Sequence, residues 1–562
     1  MSRKLLVSHK LLSCIALGTM MLGLAAAHPA PAEAGFGVNH VLLISIDGMH
    51  ALDFANCARG IAGINGGAPY CPNLSVLSEH GAIYTQTSTS RPSDDFPGLT
   101  ALVTGGSPRS TGLFYDVSYD RSLSPPAKTT PYGIPGGAAL CPSVVGTQIG
   151  FDEEIDIDLT RLDAGGGINP DYLPRDPKNN CAPVYPHSFI RVNTLFEVVQ
   201  ASGGYTAWSD RNPAYELTNG RSGHGVDDFY GPEISSIPVP LPQVKLMNCD
   251  PLPDQSAVFS TWTESFANIQ CYDSLKVQAI LNEIDGMNHD GTALRRVPNV
   301  FGMNFQVVSV GQKLVENSID EVGGYTDGVG TPSKPLLGEI QFVDAAIGKL
   351  VAELKSRGLY QQTVIIISAK HGQSPINPKR LLRIPADAPA GQPPSSILSP
   401  GGVGKKFPVV QALEDDSSLL WLRNNSPTAT AKAVALLEAN AAPIGANGGQ
   451  FFYGRYLALM FSDPATPEGS RTPNIIVAPN AGVVYTDVKD KVADHGGFAH
   501  DDTTVMMLVA HPAMAPTTVY SPVETAQVAP TILRLLGLDP GSLIAVQKEG
   551  TQVLPGIQFL GD

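Results

Sequence analysis

The sequence predicts an α/β protein in which a mixed, mostly parallel sheet lies between two layers of helices, with loop-rich insertions over the strand ends. Predicted strands alternate with predicted helices along the chain, a pattern that favours a parallel sheet. The segment His40–Ile46 is a continuous apolar run, typical of a strand buried on both faces of such a sheet. The 57 glycines and 47 prolines indicate long loops between these elements.

The N-terminal segment 1–34 has the layout of a secretory signal peptide. Basic residues precede an apolar stretch at 11–27, and a small-residue site follows at 32–34. We expect the mature chain to begin near Gly35, and we expect a secreted or periplasmic protein. A retained membrane anchor is the alternative, which the shortness of the apolar run disfavours. No later segment is apolar for long enough to span a membrane.

The elements of the mature chain are predicted from hydrophobic pattern and turn residues. The first strand, His40–Ile46, stops at Asp47-Gly48. The others are helix 72–79, strand 82–89, helix 96–103, helix 192–201, strand 205–208, helix 338–357, strand 363–368, strand 503–510 and helix 524–536. Loop-rich excursions at about 124–187, 212–271 and 374–471 are interpreted as insertions in a single domain spanning 35–562, and not as separate domains.

The cysteines predict a disulfide framework. Removal of the signal peptide takes Cys14 with it and leaves six of the seven cysteines, an even number suited to an oxidising compartment. Six cysteines allow about fifteen pairings. We favour pairs of neighbours along the chain, each closing one surface excursion. These pairs are Cys57 with Cys71, Cys141 with Cys181, and Cys249 with Cys271.

The net charge of −15 argues against binding along a nucleic-acid backbone, which requires a basic face. An acidic chain can still hold a local anion site, especially one built on metal ions. Composition therefore favours a small-molecule ligand. It does not indicate an oligomeric state.

Four segments place polar residues at strand ends or helix starts: 45–48, 91–98, 368–372 and 494–497. Three of the four pair a candidate ligand with an adjacent glycine. Because ligands bind outside the carboxyl ends of the strands in such sheets, we expect these carboxylates and imidazoles to meet at one edge. That combination suits a divalent cation such as zinc.

The order of these segments resembles the alkaline phosphatase superfamily, and within it the nucleotide pyrophosphatase/phosphodiesterase branch. In that family a first strand ends in Asp-Gly, a nucleophilic Thr or Ser begins a Thr-Phe-Pro-like turn into a helix ending in Thr-Gly, and Asp-His-Gly and His-Gly follow late. The counterparts here are Asp47-Gly48, Asp95-Phe96-Pro97 with Thr104-Gly105, Lys370-His371-Gly372, His495-Gly496 and the closing helix around 529–533.

The resemblance covers most of the mature chain. It implies an alkaline-phosphatase-like three-layer sandwich. It also implies a metal-dependent hydrolase of phosphoesters, with a phosphodiester or nucleotide pyrophosphate as the expected substrate.

The departures from the family pattern concern the metal ligands and the nucleophile. Three of the six expected ligands are replaced, by Lys370 before His-Gly and by Val308 and Gln312 in the family's Asp-x-x-Gly-His segment. The remaining ligands are Asp47, His371 and His495, with Asp95 available as a fourth, and they predict one zinc ion more readily than two.

Asp95 stands where the family has its nucleophile, with Ser93 two residues earlier. Lys370 can replace the second metal as a fixed positive charge, pairing with Asp95 or holding a phosphoryl oxygen. The sequence leaves open whether Ser93, Asp95 or a metal-bound water attacks the substrate.

Each candidate residue also has a structural interpretation. Carboxylates and hydroxyls before helices often act as caps, lone histidines are often structural, and a buried lysine often forms an ion pair. The segment 500–502 is interpreted as a solvated loop, Asp227 and Asp228 as loop residues, and Asp344 as structural.

Two other functions compete with phosphoester hydrolysis. One is a catalytically degenerate family member that binds an anionic ligand or a partner without turnover, as the lost ligands suggest. The other is a hydrolase of a related ester such as a sulfate or phosphonate. Sulfatases of this superfamily need a Cys/Ser-x-Pro-x-Arg motif, and its absence from the nucleophile turn disfavours that option.

Overall fold

The computed structural model describes residues 37–137, 141, 145–236, 246–249, 262–385, 392–399 and 408–558. The predicted signal peptide lies outside these residues and stays a prediction. Within the described ranges, no helix is both long enough and apolar enough to cross a membrane.

An eight-stranded sheet forms the centre of the structure. The strands are β1 His40–Ile46, β2 Gly81–Tyr84, β3 Ala207–Ser209, β4 Asp228–Tyr230, β5 Val300–Phe305, β6 Thr363–Ser368, β7 Leu508–Ala510 and β8 Thr517–Val519. Along the sheet, their spatial order is β8-β2-β7-β6-β1-β5-β3-β4. β7 runs antiparallel to both of its neighbours, whereas all other neighbouring strands are parallel. The predicted mixed, mostly parallel sheet is therefore confirmed.

Helices cover both faces of this sheet. Alternate residues of β1 point to opposite faces, as a strand's period of two requires. The helices are α1 Ala51–Arg59, α2 Pro72–Ser78, α3 Asp95–Thr104, α4 Leu195–Ala201, α5 Phe266–Ile284, α6 Val307–Lys313, α7 Lys334–Ser356, α8 Pro427–Glu438 and α9 Val528–Leu535. Leu42 and Ile44 pack into one core with α1, α2, α5, α6 and α7. Val41 and Leu43 pack into a second core with α3, α4 and α9. This is the predicted three-layer arrangement.

Several predicted elements differ from the structure in their bounds. The predicted strands 82–89 and 503–510 are each divided in two, because the chain leaves the main sheet and enters a small three-stranded sheet. There Thr87–Ser88 pairs with Thr504–Val505 and with Val523–Glu524. The last of these strands takes the first residue of the predicted helix 524–536. A 3-10 helix follows at Thr525–Gln527, and α9 begins at Val528.

Several elements of the structure were not predicted, namely β4, β5, β8, α1, α5, α6, α8 and a second sheet. The strand β5 lies at the centre of the sheet beside β1, and α5 packs against it. A further four-stranded antiparallel sheet consists of Val409–Glu414, Ser418–Leu422, Ile475–Ala478 and Gln450–Tyr453. It lies largely within the predicted insertion 374–471, and the division of the chain into core and insertions stays a prediction.

The predicted disulfide pairing is confirmed. The Cα–Cα distances are 5.1 Å for Cys57–Cys71, 5.6 Å for Cys141–Cys181 and 4.7 Å for Cys249–Cys271. Each bridge joins cysteines that are neighbours along the chain. Each therefore closes a short loop, which reduces the conformational entropy of the unfolded chain.

Candidate active site

The candidate residues converge at the carboxyl edge of the central sheet. Strand β1 leads directly into Asp47, β6 is followed by Lys370 and His371, and β3 is followed by Asp210. The strands bring these residues together because Ser45 of β1 lies opposite Ser368 of β6 and Asn304 of β5. Helix α3 begins at Asp95 and completes the group, which we call the edge cluster: Asp47, Asp95, Asp210, Arg211, Lys370, His371 and His495.

A fully buried ammonium lies at the centre of the edge cluster. Lys370 Nζ is 2.9 Å from Asp210 Oδ1, 3.2 Å from Asp95 Oδ1 and 3.6 Å from Asp47 Oδ2. It also lies 4.3 Å from the centre of the Tyr215 ring, a cation–π contact. Burial opposes the charged form, but Asp210, Asp47 and Asp95 together raise the pKa of Lys370 above its ordinary value. This side chain is therefore a fixed positive charge.

Asp95 is held as a carboxylate. Burial would raise its pKa, but the Arg211 guanidinium and the Lys370 ammonium lower the pKa of Asp95 well below its ordinary value. Arg211 Nη1 is 2.9 Å from Asp95 Oδ2. Asp95 is also the first residue of α3, where the partial positive charge of the helix N-terminus favours an anion.

The close approach of α3 to Lys370 depends on Gly98. A Cβ atom at this position would lie 2.1 Å from the backbone carbonyl oxygen of Lys370. Any larger residue would push the helix away from the strand end. Gly98 therefore fixes the distance between Asp95 and Lys370.

Asp47 occupies a different environment from Asp95. Its Oδ2 accepts hydrogen bonds from Asn304 Nδ2 at 2.8 Å and Gln306 Nε2 at 2.6 Å. Its Oδ1 is buried and has no hydrogen-bond partner among the described residues. Burial raises the pKa of Asp47 to about 8, against the opposing effect of Lys370. This carboxyl group is therefore largely protonated at neutral pH.

The two histidines pack against each other with ring centres 4.1 Å apart. His371 donates from Nδ1 to the Gly372 carbonyl at 2.8 Å, which leaves Nε2 as an acceptor. That Nε2 lies 3.8 Å from Asp95 Oδ1 and 3.9 Å from Asp47 Oδ2. Burial lowers the pKa of His371 well below its ordinary value and the pKa of His495 to about 4. Both imidazoles are neutral at pH 7, the form that binds metals.

The cluster has the donor set for one divalent ion. Asp95, His371 and His495 each offer one ligand atom, and these atoms lie within 4.8 Å of one another. Three protein ligands and an open position are typical of a catalytic zinc site. In contrast to the expected set, Asp95 joins the two histidines here, whereas Asp47 is bound by two amides and lies near Lys370.

Val308 and Gln312 stand at two positions where the family resemblance implies metal ligands. Val308 is a fully buried apolar residue. Gln312 donates from Nε2 to the Gly48 carbonyl and to the Tyr325 hydroxyl, each at 2.8 Å. Tyr325 in turn contacts the carboxylate of Asp53 at 2.9 Å. Val308 thus offers no ligand atom, and the Gln312 amide is held in a hydrogen-bond network.

Ser93 is turned away from the edge cluster. Its hydroxyl donates to the backbone carbonyl of Asp502, and it is fully buried. The same Asp502 carbonyl accepts the Gly372 amide at 2.7 Å. The structure therefore corrects the interpretation of 500–502 as a solvated loop, because Asp502 is buried and joins two strand ends. His500 is exposed, as expected.

The other acidic residues considered in the sequence lie outside the cluster. Asp344 lies on α7 and accepts hydrogen bonds from the backbone amides of Leu74 at 2.8 Å and Asn73 at 3.2 Å. Its side chain therefore caps the N-terminus of α2. Asp228 is the first residue of the edge strand β4 and pairs with His289, which corrects its interpretation as a loop residue. Asp227 accepts the Thr206 amide at 3.0 Å.

Sequence reasoning missed four residues of the site: Asp210, Arg211, Asn304 and Gln306. Asp210 and Arg211 directly follow β3, and Asn304 and Gln306 lie at the end of β5. The rule that ligands bind beyond the carboxyl ends of strands would have selected these positions. It could not be applied to β5, which was not predicted.

This architecture and its edge cluster define an α/β protein of the alkaline-phosphatase-like class. A sequence profile described as type I phosphodiesterase / nucleotide pyrophosphatase matches residues 41–132 and 272–507, more than half of the chain. The chain belongs to that family, which confirms the resemblance. Asp210 and Arg211 lie in the segment between the two matched regions. A sequence comparison with curated proteins finds no match.

Two solved structures resemble the chain in fold. Murine ectonucleotide pyrophosphatase/phosphodiesterase 5 has 13% sequence identity and a TM-score of 0.51, and the match covers 89% of this chain and 96% of that one. An inactive variant of the same murine protein in complex with AMP matches with 12% identity, the same coverage and a TM-score of 0.51. At this identity the likeness establishes the fold alone.

Proposed function

We propose that this chain hydrolyses a phosphodiester or nucleotide pyrophosphate bond at the edge cluster, with Asp95 as the nucleophile. The observation that carries the proposal is the pair of carboxyl groups beside one buried ammonium. Asp95 and Asp47 lie 3.2 and 3.6 Å from Lys370 Nζ, yet their environments shift their pKa values in opposite directions. Such a division is how enzymes separate an ionised group from a proton donor.

In the proposed first step, a carboxylate oxygen of Asp95 attacks phosphorus and the bond from phosphorus to the leaving oxygen breaks. The proton of Asp47 passes to that oxygen. In the second step, water attacks phosphorus, the bond to Asp95 breaks, and a proton of the water returns to Asp47. Lys370 and Arg211 stabilise the negative charge on the non-bridging phosphoryl oxygens.

A single divalent metal, which the family implies, would be held by Asp95, His371 and His495. When bound, it supplies Lewis-acid polarisation of a phosphoryl oxygen, and zinc suits this donor set. The Gly372 carbonyl orients the ring of His371, the outer-shell contact that ligating histidines usually have. Lys370 provides a second positive charge next to Asp95.

Substrate would approach from the side of Arg211 and His495. Their side chains are 17% and 12% exposed, whereas those of Asp47, Asp95, Lys370 and His371 are at most 1% exposed. The Arg211 guanidinium also contacts Asp116, 3.3 Å away at Oδ2. A phosphoryl group that reaches Asp95 must therefore share or displace Arg211.

The test is hydrolysis of bis-p-nitrophenyl phosphate by the purified exported protein, with metal content measured by elemental analysis on the same preparation. We expect Asp95→Asn to lower kcat by at least about 100-fold, since it removes the nucleophile. The matched control is Asp344→Asn, a buried carboxylate remote from the cluster, which should keep wild-type kcat. Acid-quenched samples should carry a phosphoryl adduct on the peptide that contains Asp95.

An adduct on another residue, or full activity in Asp95→Asn, would contradict the assignment of the nucleophile. Chelator-sensitive turnover together with metal loss in His371→Ala would support the metal site. Turnover by a metal-free protein would instead indicate that Lys370 and Arg211 alone stabilise the charge on the phosphoryl oxygens. p-Nitrophenyl sulfate and a phosphonate ester, assayed alongside, test the related-ester alternative.

A second candidate function is ligand binding without turnover. The observation that favours it is the closure of the site, since the ammonium of Lys370 is fully buried among three carboxyl groups. Absence of turnover on every ester, combined with saturable binding of a nucleoside monophosphate that Arg211→Gln weakens, would favour this candidate over the enzyme.

We also propose that the protein is exported and acts on a small-molecule phosphoester. Its three disulfides are of the kind that form in oxidising compartments. N-terminal sequencing of protein recovered from the periplasm or medium should give a chain that starts near Gly35. A chain that still carries the apolar N-terminal segment would contradict cleavage.

A further inference from the structure

A basic cleft lies at the opposite end of α3 from the edge cluster. It has a volume of about 1200 Å³, and its lining includes six cationic side chains but only two carboxylates. This concentration of positive charge contrasts with the net charge of −15 of the whole chain. The cationic residues are Arg109, Arg121, Lys178, Arg191, Arg471 and Lys548.

The arginines on the wall of the cleft are held by neutral groups. Arg121 donates to the carbonyls of Ser470 at 3.2 Å and Thr472 at 3.0 Å, and to the side chain of Asn474. Arg191 donates to the Glu468 carbonyl and to the Ser470 hydroxyl. Neither arginine forms an ion pair with a carboxylate in the part of the chain that the structure describes.

Like charges are packed together on this wall. A Cβ atom at Gly112 would lie 2.7 Å from Arg191 Cδ and 3.1 Å from Arg471 Nη1, so both arginines pass beside this glycine. Arg471 pairs at 2.8 Å with Asp120, a buried carboxylate behind the wall. Burial lowers the pKa of Arg121 to about 10, so it remains a cation at neutral pH.

The carboxylates offset only part of this charge. Six cationic side chains line the cleft together with Glu468 and Glu549, and Asp120 lies behind the wall. Glu549 is engaged by the amide and hydroxyl of Ser107, at 3.1 and 3.0 Å, and by the hydroxyl of Ser110. Lys178 and Lys548 are exposed and form no ion pair within the described ranges. The cleft therefore keeps a net positive charge.

The cleft is separate from the edge cluster. Asp95 begins α3, whereas Ser107 of the cleft lies beyond its last residue, Thr104. A helix of this length, 10 residues, spans about 15 Å. None of the edge-cluster residues contributes to the lining.

We propose that this cleft is a second anion site, which binds a small oligophosphate through Arg121, Arg191, Lys178 and Lys548. Arginine forks match the geometry of phosphate oxygens, and lysine ammonium groups add charge at the rim. Because the cationic side chains are spread over a cleft of about 1200 Å³, a ligand with several linked phosphates can contact more of them than a single phosphate can. The inference is independent of the proposed hydrolysis.

Isothermal titration of the full exported protein with sodium tripolyphosphate tests the site. We expect saturable binding that is at least about tenfold tighter than that of orthophosphate. Raising the sodium chloride concentration should weaken it, because exposed charges are screened.

The double variant Lys178→Ala/Lys548→Ala should bind about tenfold more weakly, since each rim charge contributes a few-fold. Both residues are exposed, so the variant should fold. The matched control is Lys349→Ala/Lys379→Ala, which removes two equally exposed charges away from the cleft and should change affinity less than about twofold.

The variant Asp95→Asn distinguishes binding in the cleft from binding at the edge cluster. Tripolyphosphate binding that persists in Asp95→Asn and falls in the rim variant assigns the ligand to the cleft. Binding that is lost in Asp95→Asn and unchanged in the rim variant would overturn the proposal, as would a loss in the control pair equal to that in the rim pair. Absence of saturable binding to wild type would overturn it as well.

Discussion

Replacement of the central ammonium, Lys370→Met, should destabilise the protein strongly. In the folded state, Lys370 Nζ lies between Asp210, Asp95 and Asp47 at 2.9, 3.2 and 3.6 Å. Methionine fills a similar volume but leaves the carboxylates without their common counter-charge. In this variant Asp95 still pairs with Arg211, and Asp47 is largely protonated. Asp210 therefore loses the most electrostatic stabilisation.

The expected loss of folding stability can be estimated from the contacts that Asp210 keeps. Asp210 retains hydrogen bonds from Trp208 Nε1 at 3.1 Å and from the Arg211 amide at 2.9 Å, but no cation within ion-pair distance among the described residues. Removal of one partner of a buried ion pair typically costs about 3–5 kcal/mol. The second substitution Asp210→Asn should recover about 1–3 kcal/mol, the usual coupling between contacting residues.

The assay is equilibrium unfolding in urea at pH 7, followed by two spectroscopic probes to check that the transition is cooperative. Lys334→Met is the control, because this lysine is 84% exposed in its pair with Glu321 and should change stability by less than about 1 kcal/mol. If Lys370→Met is as stable as this control, or if Asp210→Asn makes it less stable, the description of a charge-coupled cluster is wrong.

Three further predictions concern single positions. Gly98→Ala should destabilise the fold by about 1–3 kcal/mol and lower activity, because its Cβ would lie 2.1 Å from the Lys370 carbonyl. Gly338→Ala, in open space on α7, should be neutral or stabilising in the same unfolding assay. Ser93→Ala should keep kcat within a few-fold of wild type and lose about 1 kcal/mol of stability, and a large loss of kcat would restore Ser93 as the nucleophile. Burial raises the pKa of Asp502 to about 7, so its contribution to stability is present below pH 4 and lost as pH rises through 7. The wild type should therefore lose stability as pH rises from 4 to 7, whereas Asp502→Asn should not. Urea unfolding that shows the same pH dependence for both proteins would contradict the raised pKa of Asp502.

Much of the fold could be predicted because its signals are local. The strands β1 and β6 have the predicted bounds, since a continuous apolar run identifies a buried strand without knowledge of its neighbours. The strand β5 was missed because Gly302 and Asn304 interrupt its apolar pattern. The structure explains Gly302, where a Cβ atom would lie 1.8 Å from the Leu43 carbonyl, so only glycine allows the two central strands to approach.

The candidate site could be predicted only in part. Asp47, Asp95, Lys370, His371 and His495 were selected because each lies next to a recognisable turn or glycine and in the order of a family motif. Their roles toward one another depend on distances that the motif does not encode. Only the folded chain shows that Asp95 groups with the two histidines and that the Ser93 hydroxyl instead bonds to the Asp502 carbonyl.

The α/β class, the family and the disulfide pairing could be predicted from the chain alone, since they depend on local pattern and motif order. The residues that surround Lys370 could not be predicted in this way. Asp210 and Arg211 come from a segment without a family motif, and they reach Lys370 and Asp95 because β3 ends at the same edge as β6. Contacts between residues this far apart in the chain depend on strand order and register, which local patterns do not specify.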